Sequence, residues 1–331
     1  MVVESVIEKK CDQLLQKAIS FRASDIQLTP LESSYYLYFK RNNYRIEVGE
    51  ITVDLGDRMI SYFKFLSSLD ISEKRKPQSG AFKQQFNDQT YAFRVSTLPA
   101  IQMKESLIIR LLLQNQSTAL QQLSYFSHSA ETLLQLTQLE QGIIILTGAT
   151  GSGKTTSLYA LIHHSAHQLK RNVISLEDPV ESDQQNILQI QVNERAGVTY
   201  ATGLKAILRH SPDVIMVGEI RDAETAKVAI EAALTGHLVL TTVHAKDTVG
   251  CLYRMLSLGI SFEDLRQSVA GIVAQQLVSV GESRSAIYEI LQGDHLADAF
   301  RAIRTGDWYS LPAEYSLARQ KLMIAQRESR K

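Results

Sequence analysis

The sequence predicts an α/β protein of two domains, a small α+β domain followed by a larger one whose sheet is wound from βα units. Three observations carry that prediction. Residues 142 to 156 read as an apolar strand, a glycine-rich turn and the start of a helix. Beyond them, short apolar runs alternate with helical patterns, as a sheet of βα units requires. Ahead of them, residues 21 to 113 carry strand-like runs around a single helix. At 331 residues the chain has room for both domains.

The first element is a helix over residues 2 to 20. Val3, Ile7, Cys11, Leu14 and Ala18 recur at spacings of three and four, which makes one buried stripe. Tyr35 to Phe39 and Tyr44 to Val48 read as strands joined near Asn42-Asn43. A helix is expected from about Arg58 to Ser68, then strands at Ala92 to Val95 and Leu107 to Leu112. The first domain is therefore set at residues 1 to 113. The polar stretch 114 to 122 is read as a linker, and residues 123 to 331 as the second domain. There the strands are expected at Ile143 to Leu146, Val173 to Leu176, Val214 to Val217 and Leu238 to Val243. The clearest helix runs from Ala223 to Thr235, with Asp222 as N-cap and Gly236 past its end. Residues 297 to 331 read as polar helix.

Bulk properties narrow the function. Acidic and basic residues balance at 35 each, which argues against gripping nucleic acid through bulk charge. Two cysteines far apart in sequence, Cys11 and Cys251, make neither a zinc site nor a redox pair, and a reducing cytosol suits them. The N-terminus mixes charges into its apolar residues and does not read as a signal peptide. No run of about eighteen apolar residues is present, so any membrane association is expected to be peripheral.

Gly148, Ala149, Thr150, Gly151, Ser152, Gly153, Lys154 and Thr155 fit G-x-x-x-x-G-K-[ST], and Thr156 follows. Glycines let successive backbone N–H groups face one point, and the helix N-terminus adds positive partial charge there. The product is a polyphosphate cradle for a nucleotide such as ATP, with Lys154 on the β- and γ-phosphates and Thr155 on Mg²⁺. Three later stretches each follow a strand. Glu177-Asp178-Pro179-Val180-Glu181 places carboxylates where Mg²⁺ ordering or activation of a water needs them. Val214 to Val217 leads to Glu219, an acid suited to the Mg²⁺ shell or the attacking water. Gly236 to His244 ends on a histidine that can sense the γ-phosphate. Arg94 and Arg110 lie in apolar strand-like runs of the first domain. They read either as residues of a solvated face or as guanidinium forks offered to a nucleotide from another domain or subunit.

These residues resemble the secretion-type ATPases of type II secretion, type IV pili and competence pseudopili, over nearly the whole chain. Ala23-Ser24-Asp25-Ile26-Gln27 resembles that family's "ASDIH", with Gln27 in place of the histidine. Lys64, Leu69 to Glu73 and Pro77 to Gly80 resemble "K…LDI-E…PQ-G". Phe93 to Pro99 and Glu105 to Leu112 resemble "LRVSTLP…E…LRLL". Glu177 to Glu181 resembles the Asp box, Leu208 to Asp222 the segment "LR-DPD-IMVGEIRD", and Gly236 to Asp247 the His box.

The resemblance implies a PAS-like first domain, a RecA-like second domain and a homohexameric ring with nucleotide between the domains. It implies Arg94 and Arg110 as arginine fingers, Glu219 as the Walker B acid, His244 as the His-box residue and Glu177 as the water-activating acid. The residues themselves leave Glu177 and Glu219 open for that last role. A polytopic inner-membrane platform protein is the implied partner, with pseudopilins reached indirectly and no direct contact with nucleic acid. The implied place is the cytoplasm, at the inner face of the membrane.

There are departures from the family pattern. Ala149 stands where proline is common, Ser211 replaces an aspartate, and Gln276 stands where many members have arginine. Many members insert a four-cysteine zinc module after the segment matching Gln275-Gln276-Leu277. Here only residues 278 to 283 precede the next matching segment. The extra N-terminal domain of many secretion members is also expected to be missing. Both features are similar to the ComGA-type competence ATPases of Gram-positive bacteria. A motor that assembles a competence pseudopilus for DNA uptake is the function this implies. A retraction ATPase, a general type II secretion or pilus assembly ATPase, and a DNA-translocating P-loop motor are the alternatives.

Overall fold

A computed structural model describes residues 6–41, 44–87, 89–114, 118–281 and 283–328. It divides into two compact units, Met1–Asn115 and Gln116–Lys331.

The first unit begins with α1 (Val6–Ser20), then β1 (Asp25–Pro30), β2 (Ser34–Arg41), β3 (Tyr44–Thr52), α2 (Val53–Leu66), β4 (Gln78–Phe86), β5 (Gln89–Pro99) and β6 (Glu105–Gln114). The strands form one six-stranded sheet in the order β3-β2-β1-β6-β5-β4, with every neighbouring pair antiparallel. Alternation decides which face is covered. Ile26 and Leu28 pair with Phe39 and Leu37 on one side and with Ile109 and Leu107 on the other. These residues share a core with Ile7, Cys11, Leu14, Leu15 and Ala18 of α1 and with Met59, Ile60 and Phe63 of α2. The expected stripe of α1 is therefore the buried one, apart from Val3, which lies outside the described residues. Asn42 and Asn43, the expected turn, lie outside them too.

Helix α2 starts more than a turn before the expected Arg58, because the Thr52 hydroxyl accepts from the Leu55 N–H and caps it there. At its other end Lys64 is fully buried. Its ammonium lies 2.9 Å from the Glu105 carboxylate on β6 and donates to the Glu73 carbonyl. This pair ties the helix, the sheet and the intervening loop together.

The second unit opens with α3 (Leu120–Leu123) and α4 (Ser127–Leu136). The expected linker is thus shorter than residues 114 to 122. Strand β6 runs through Gln114, and the Leu120 side chain is buried in the second unit's core. There follow β7 (Gly142–Thr147), α5 (Lys154–His167), β8 (Val173–Glu177), β9 (Leu188–Gln191), α6 (Tyr200–Ile207), β10 (Val214–Val217), α7 (Ala223–Leu234) and β11 (Leu238–Val243). The chain closes with α8 (Thr248–Ser257), α9 (Phe262–Ser268), β12 (Val269–Val280), β13 (Ser283–Gln292), α10 (Gly293–Thr305) and α11 (Leu317–Glu328). The seven-stranded sheet has the order β13-β12-β7-β11-β10-β8-β9. All its pairs are parallel except β12 with β13.

Helices cover both faces of this sheet, so its central strands are apolar throughout. Ile143 and Ile145 of β7 face the core shared with α6 to α10, while Ile144 and Leu146 face the core shared with α3 to α5. Asp222 caps α7 as expected, its carboxylate accepting from the Thr225 N–H. The tail departs from one polar helix. Gly306 takes a left-handed conformation after α10, and α11 starts afresh at Leu317, whose side chain packs beside Ala274 and Ile287. Among the described residues no helix is long and apolar enough to cross a membrane.

Two expectations follow. Replacing Glu105 by Ala strands a buried ammonium, so urea denaturation should show a loss of about 3–5 kcal/mol. Burial pushes the thiols of Cys11 and Cys251 up from 9.0 to about 12. A raised thiol contributes stability that is whole below the unfolded pKa of 9.0 and is lost as pH rises through about 12. At pH 8 both cysteines should therefore resist iodoacetamide in the folded chain and react at once in denaturant, as intact mass will read.

Candidate nucleotide site

Strand β7 is wholly buried and delivers the chain to Gly148. Gly148 has φ +139°, and a Cβ there would stand 2.5 Å from the Gln275 carbonyl oxygen. Only glycine allows the turn to lie that close to β12. Gly151 and Gly153 also take positive φ, at +79° and +86°. The chain then enters α5 at Lys154 with no side chain capping the helix N-terminus. Its first N–H groups and its dipole are left for a ligand, as a phosphate cradle requires. Ala149, Thr150, Gly151 and Thr156 are exposed along the loop, Thr155 is half-buried and Ser152 is buried.

Lys154 folds back on its own loop. Its ammonium donates to the carbonyls of Gly148, at 2.8 Å, and Ala149, at 3.0 Å. Burial lowers its pKa, and the charge of Glu219 opposes that shift. Gln275, buried on β12, donates through Nε2 to the Ser152 carbonyl at 2.8 Å and pins the loop from the other side. Sequence reasoning missed Gln275. It entered there only within the segment Gln275-Gln276-Leu277, and the register of β12 against β7 reveals its contact with the loop.

The parallel register brings the next groups to the same edge of the sheet. Gly218 donates its N–H to the Leu176 carbonyl, and Ile220 donates to that of Thr242. The residue between them, Glu219, is thereby held by both neighbouring strands. Its carboxylate pairs with the Arg221 guanidinium and lies 3.7 Å from His244 Nε2. His244 follows β11, and Ala245 after it is tied to the end of β7 by the Thr147 hydroxyl, which accepts its N–H and donates to its carbonyl. An open cleft of about 440 Å³ lies among Gly148, Ala149, His244, Lys246, Gln275 and Gln276. The structure thus brings Lys154, Glu219 and His244 together.

Glu177 differs from these. It ends β8, only 2% exposed. One oxygen accepts from the Ser175 hydroxyl at 2.6 Å and the Gln189 amide at 3.0 Å, and the other accepts from the Tyr159 hydroxyl. Tyr159 and Gln189 escaped sequence reasoning because an aromatic residue in an apolar helix reads as core, and β9 was not expected.

In the first unit, Asp25, Arg110 and Arg94 stand opposite one another on β1, β6 and β5. Ile26, Ile109 and the pair Phe93 and Val95 fill the core beside them, so this row faces away from α1 and α2. Arg110 Nε donates to Asp25 at 2.9 Å. The sheet makes neighbours of two arginines sixteen positions apart in sequence.

The oxygen donors fit Mg²⁺, which takes one or two protein oxygens beside phosphate and water. Thr155 offers a hydroxyl in the first turn of α5, and Glu219 offers a carboxylate already paired with the Arg221 guanidinium.

Comparison with known proteins agrees with this architecture. The family described as "Type II/IV secretion system protein" matches residues 2–303. The chain is 42% identical over 308 residues to competence protein ComGA of Bacillus subtilis, covering 88% of this chain and 86% of that protein. It is 39% identical over 317 residues to ComGA of Halalkalibacterium halodurans, covering 90% and 91%. The pilus retraction motor PilT, solved with bound ADP, superposes with a TM-score of 0.73 at 24% identity, over 91% of this chain and 87% of that one. That last likeness concerns the fold, an N-terminal β-rich domain followed by a RecA-like α/β domain. With its sequence matched almost from end to end, the chain belongs to the type II/IV secretion system protein family.

Proposed function

We propose that this chain is an ATP-hydrolysing motor that drives assembly of a competence pseudopilus for DNA uptake. The observation that carries the reading is the convergence of Lys154, Glu219 and His244 on one edge of a parallel sheet, beside an uncapped helix N-terminus. Its likeness to the ComGA proteins directs that chemistry to competence rather than to secretion at large.

The chain's own groups supply most of the reaction. Lys154 exchanges two loop carbonyls for phosphate oxygens, trading neutral acceptors for charged ones, which make the stronger hydrogen bonds. The free N–H groups of α5 take the remaining phosphate oxygens. Thr155 and Glu219 would hold Mg²⁺, which would supply positive charge to the phosphates. Glu219 is the proposed Walker B acid, its charge felt by Lys154, and Glu177 is the proposed water-activating acid, as the family resemblance implies. His244, beside Glu219, reports the state of the γ-phosphate to β11.

Arg94 and Arg110 remain the arginine fingers that the family resemblance implies. Fingers from one domain acting on nucleotide suit a homohexameric ring. The proposed partner is a polytopic platform protein at the inner face of the membrane. Pseudopilins are reached through it, and DNA is not contacted.

Lys154→Ala should lower phosphate release from ATP by about a hundredfold or more, the loss expected when a phosphate-stabilising group is removed. In a host lacking the gene, the wild type should restore DNA uptake and pseudopilin filaments, and Lys154→Ala should restore neither. Filaments that persist or lengthen in the deletion strain would replace assembly by retraction.

A further inference from the structure

One row of charge crosses the first unit's sheet from strand to strand. Arg94 on β5 stands opposite Arg110 on β6, and Arg110 opposite Asp25 on β1. Asp25 stands opposite Lys40 on β2, and Lys40 opposite Arg45 on β3. Lys40 follows Phe39, which points into the core, so Lys40 shares the outer face with Asp25. The acid of the row therefore has a cation on the strand to each side of it.

These groups are held very differently. Asp25 is only 8% exposed. Arg110 Nε donates to one of its oxygens at 2.9 Å, and the Ser24 hydroxyl donates to the other at 2.8 Å. Arg45 lies over the Tyr38 ring, 3.4 Å from its centroid, and donates to the Thr29 hydroxyl. Lys40 is exposed, and among the described residues its ammonium makes no hydrogen bond or ion pair.

Burial links Asp25 to the freedom of Arg110. When Arg110 turns to a phosphate, it leaves behind a carboxylate that water scarcely reaches. A buried charge stripped of its partner is costly, so Asp25 resists the release of the guanidinium. A second cation that arrives as the first departs removes that resistance. Residues directly opposite in an antiparallel pair have Cβ atoms about 5 Å apart, and lysine carries a compact ammonium on a flexible stem. Lys40 is opposite, on the same face and uncommitted, whereas Arg45 is one strand further away and already engaged.

We propose that Lys40 is a positioning residue: it takes over the Asp25 carboxylate when Arg110 turns to a nucleotide's phosphates. The catalytic consequence rests on the reading of Arg110 as an arginine finger of an ATPase. The handover at Asp25 is a property of the first unit's own sheet and is testable without nucleotide.

Hydrogen–deuterium exchange over residues 25–41 of the full chain, without nucleotide, reads the handover. Lys40→Met should leave exchange within about twofold, because Arg110 still holds Asp25. Arg110→Met should speed it only about threefold, because Lys40 moves in. The two together should speed it about thirtyfold or more, beyond the product of the single changes, and adding Asp25→Asn should remove that excess. A double variant no faster than that product overturns the handover. In steady-state ATP hydrolysis, Lys40→Met should lower kcat about tenfold with KM within about twofold, and Lys40→Arg should stay within about twofold of wild type. Asp25→Asn added to Lys40→Met should restore turnover, since a neutral side chain no longer holds Arg110. Turnover untouched by Lys40→Met, or lost and not rescued by Asp25→Asn, overturns the positioning role. If wild type and Lys154→Ala release phosphate at one rate, it is the ATPase reading that fails, and the exchange measurement still decides the handover.

Discussion

The close approach of Gly148 to the Gln275 carbonyl is the contact on which the candidate site depends. A side chain at that position would drive β7 and β12 apart or lift the loop off the sheet. With none there, the loop turns at the strand end, Gln275 holds it through Ser152, and α5 starts with its N–H groups open. A purely local property, the missing Cβ of one residue, thus sets where a polyphosphate can lie against a seven-stranded sheet.

Around that turn each charge has a neighbouring group that balances it. Lys154 rests on carbonyls, Glu219 on Arg221 and His244, and Glu177 on hydroxyl and amide donors. Each buried or half-buried charge has a partner that a phosphate group or a loop movement can replace. Glu177 ends β8 and Glu219 lies two residues past the adjacent parallel strand β10, and their surroundings differ. Glu219 faces the Arg221 guanidinium and the His244 ring, while Glu177 is enclosed by uncharged donors beneath a loop.

Much of this was legible in the sequence. Four of the inner strands, β7, β8, β10 and β11, are buried on both faces and announce themselves as apolar runs, and α7 carries both its cap and its stripe. What escaped notice had weak local signals. Strand β4 pairs only with β5 at a sheet edge and alternates between exposed and half-exposed residues, so its sequence is mostly polar. Strand β1 offers only Ile26 and Leu28 to the core. The hairpin of β12 and β13 was likewise not expected, and Val280 pairs with Ser283 across it. Tyr159 is the sharpest case. Its ring belongs to the core, as its place in an apolar helix suggests, and only its hydroxyl acts elsewhere.

The pairing of Arg110 with Asp25 gives the arginine row a valence threshold. Asp25 is buried, but the Arg110 side chain is 58% exposed, and an ion pair with one partner so open to water holds weakly and readily changes partners. A singly charged anion arriving there offers Arg110 little more than the carboxylate it already has. A polyphosphate offers several charges to Arg110 and Arg94 together, and can outbid Asp25 for the guanidinium. If these arginines act on a nucleotide as proposed, the neighbouring acid would make the row insensitive to small anions while leaving it responsive to a phosphate chain.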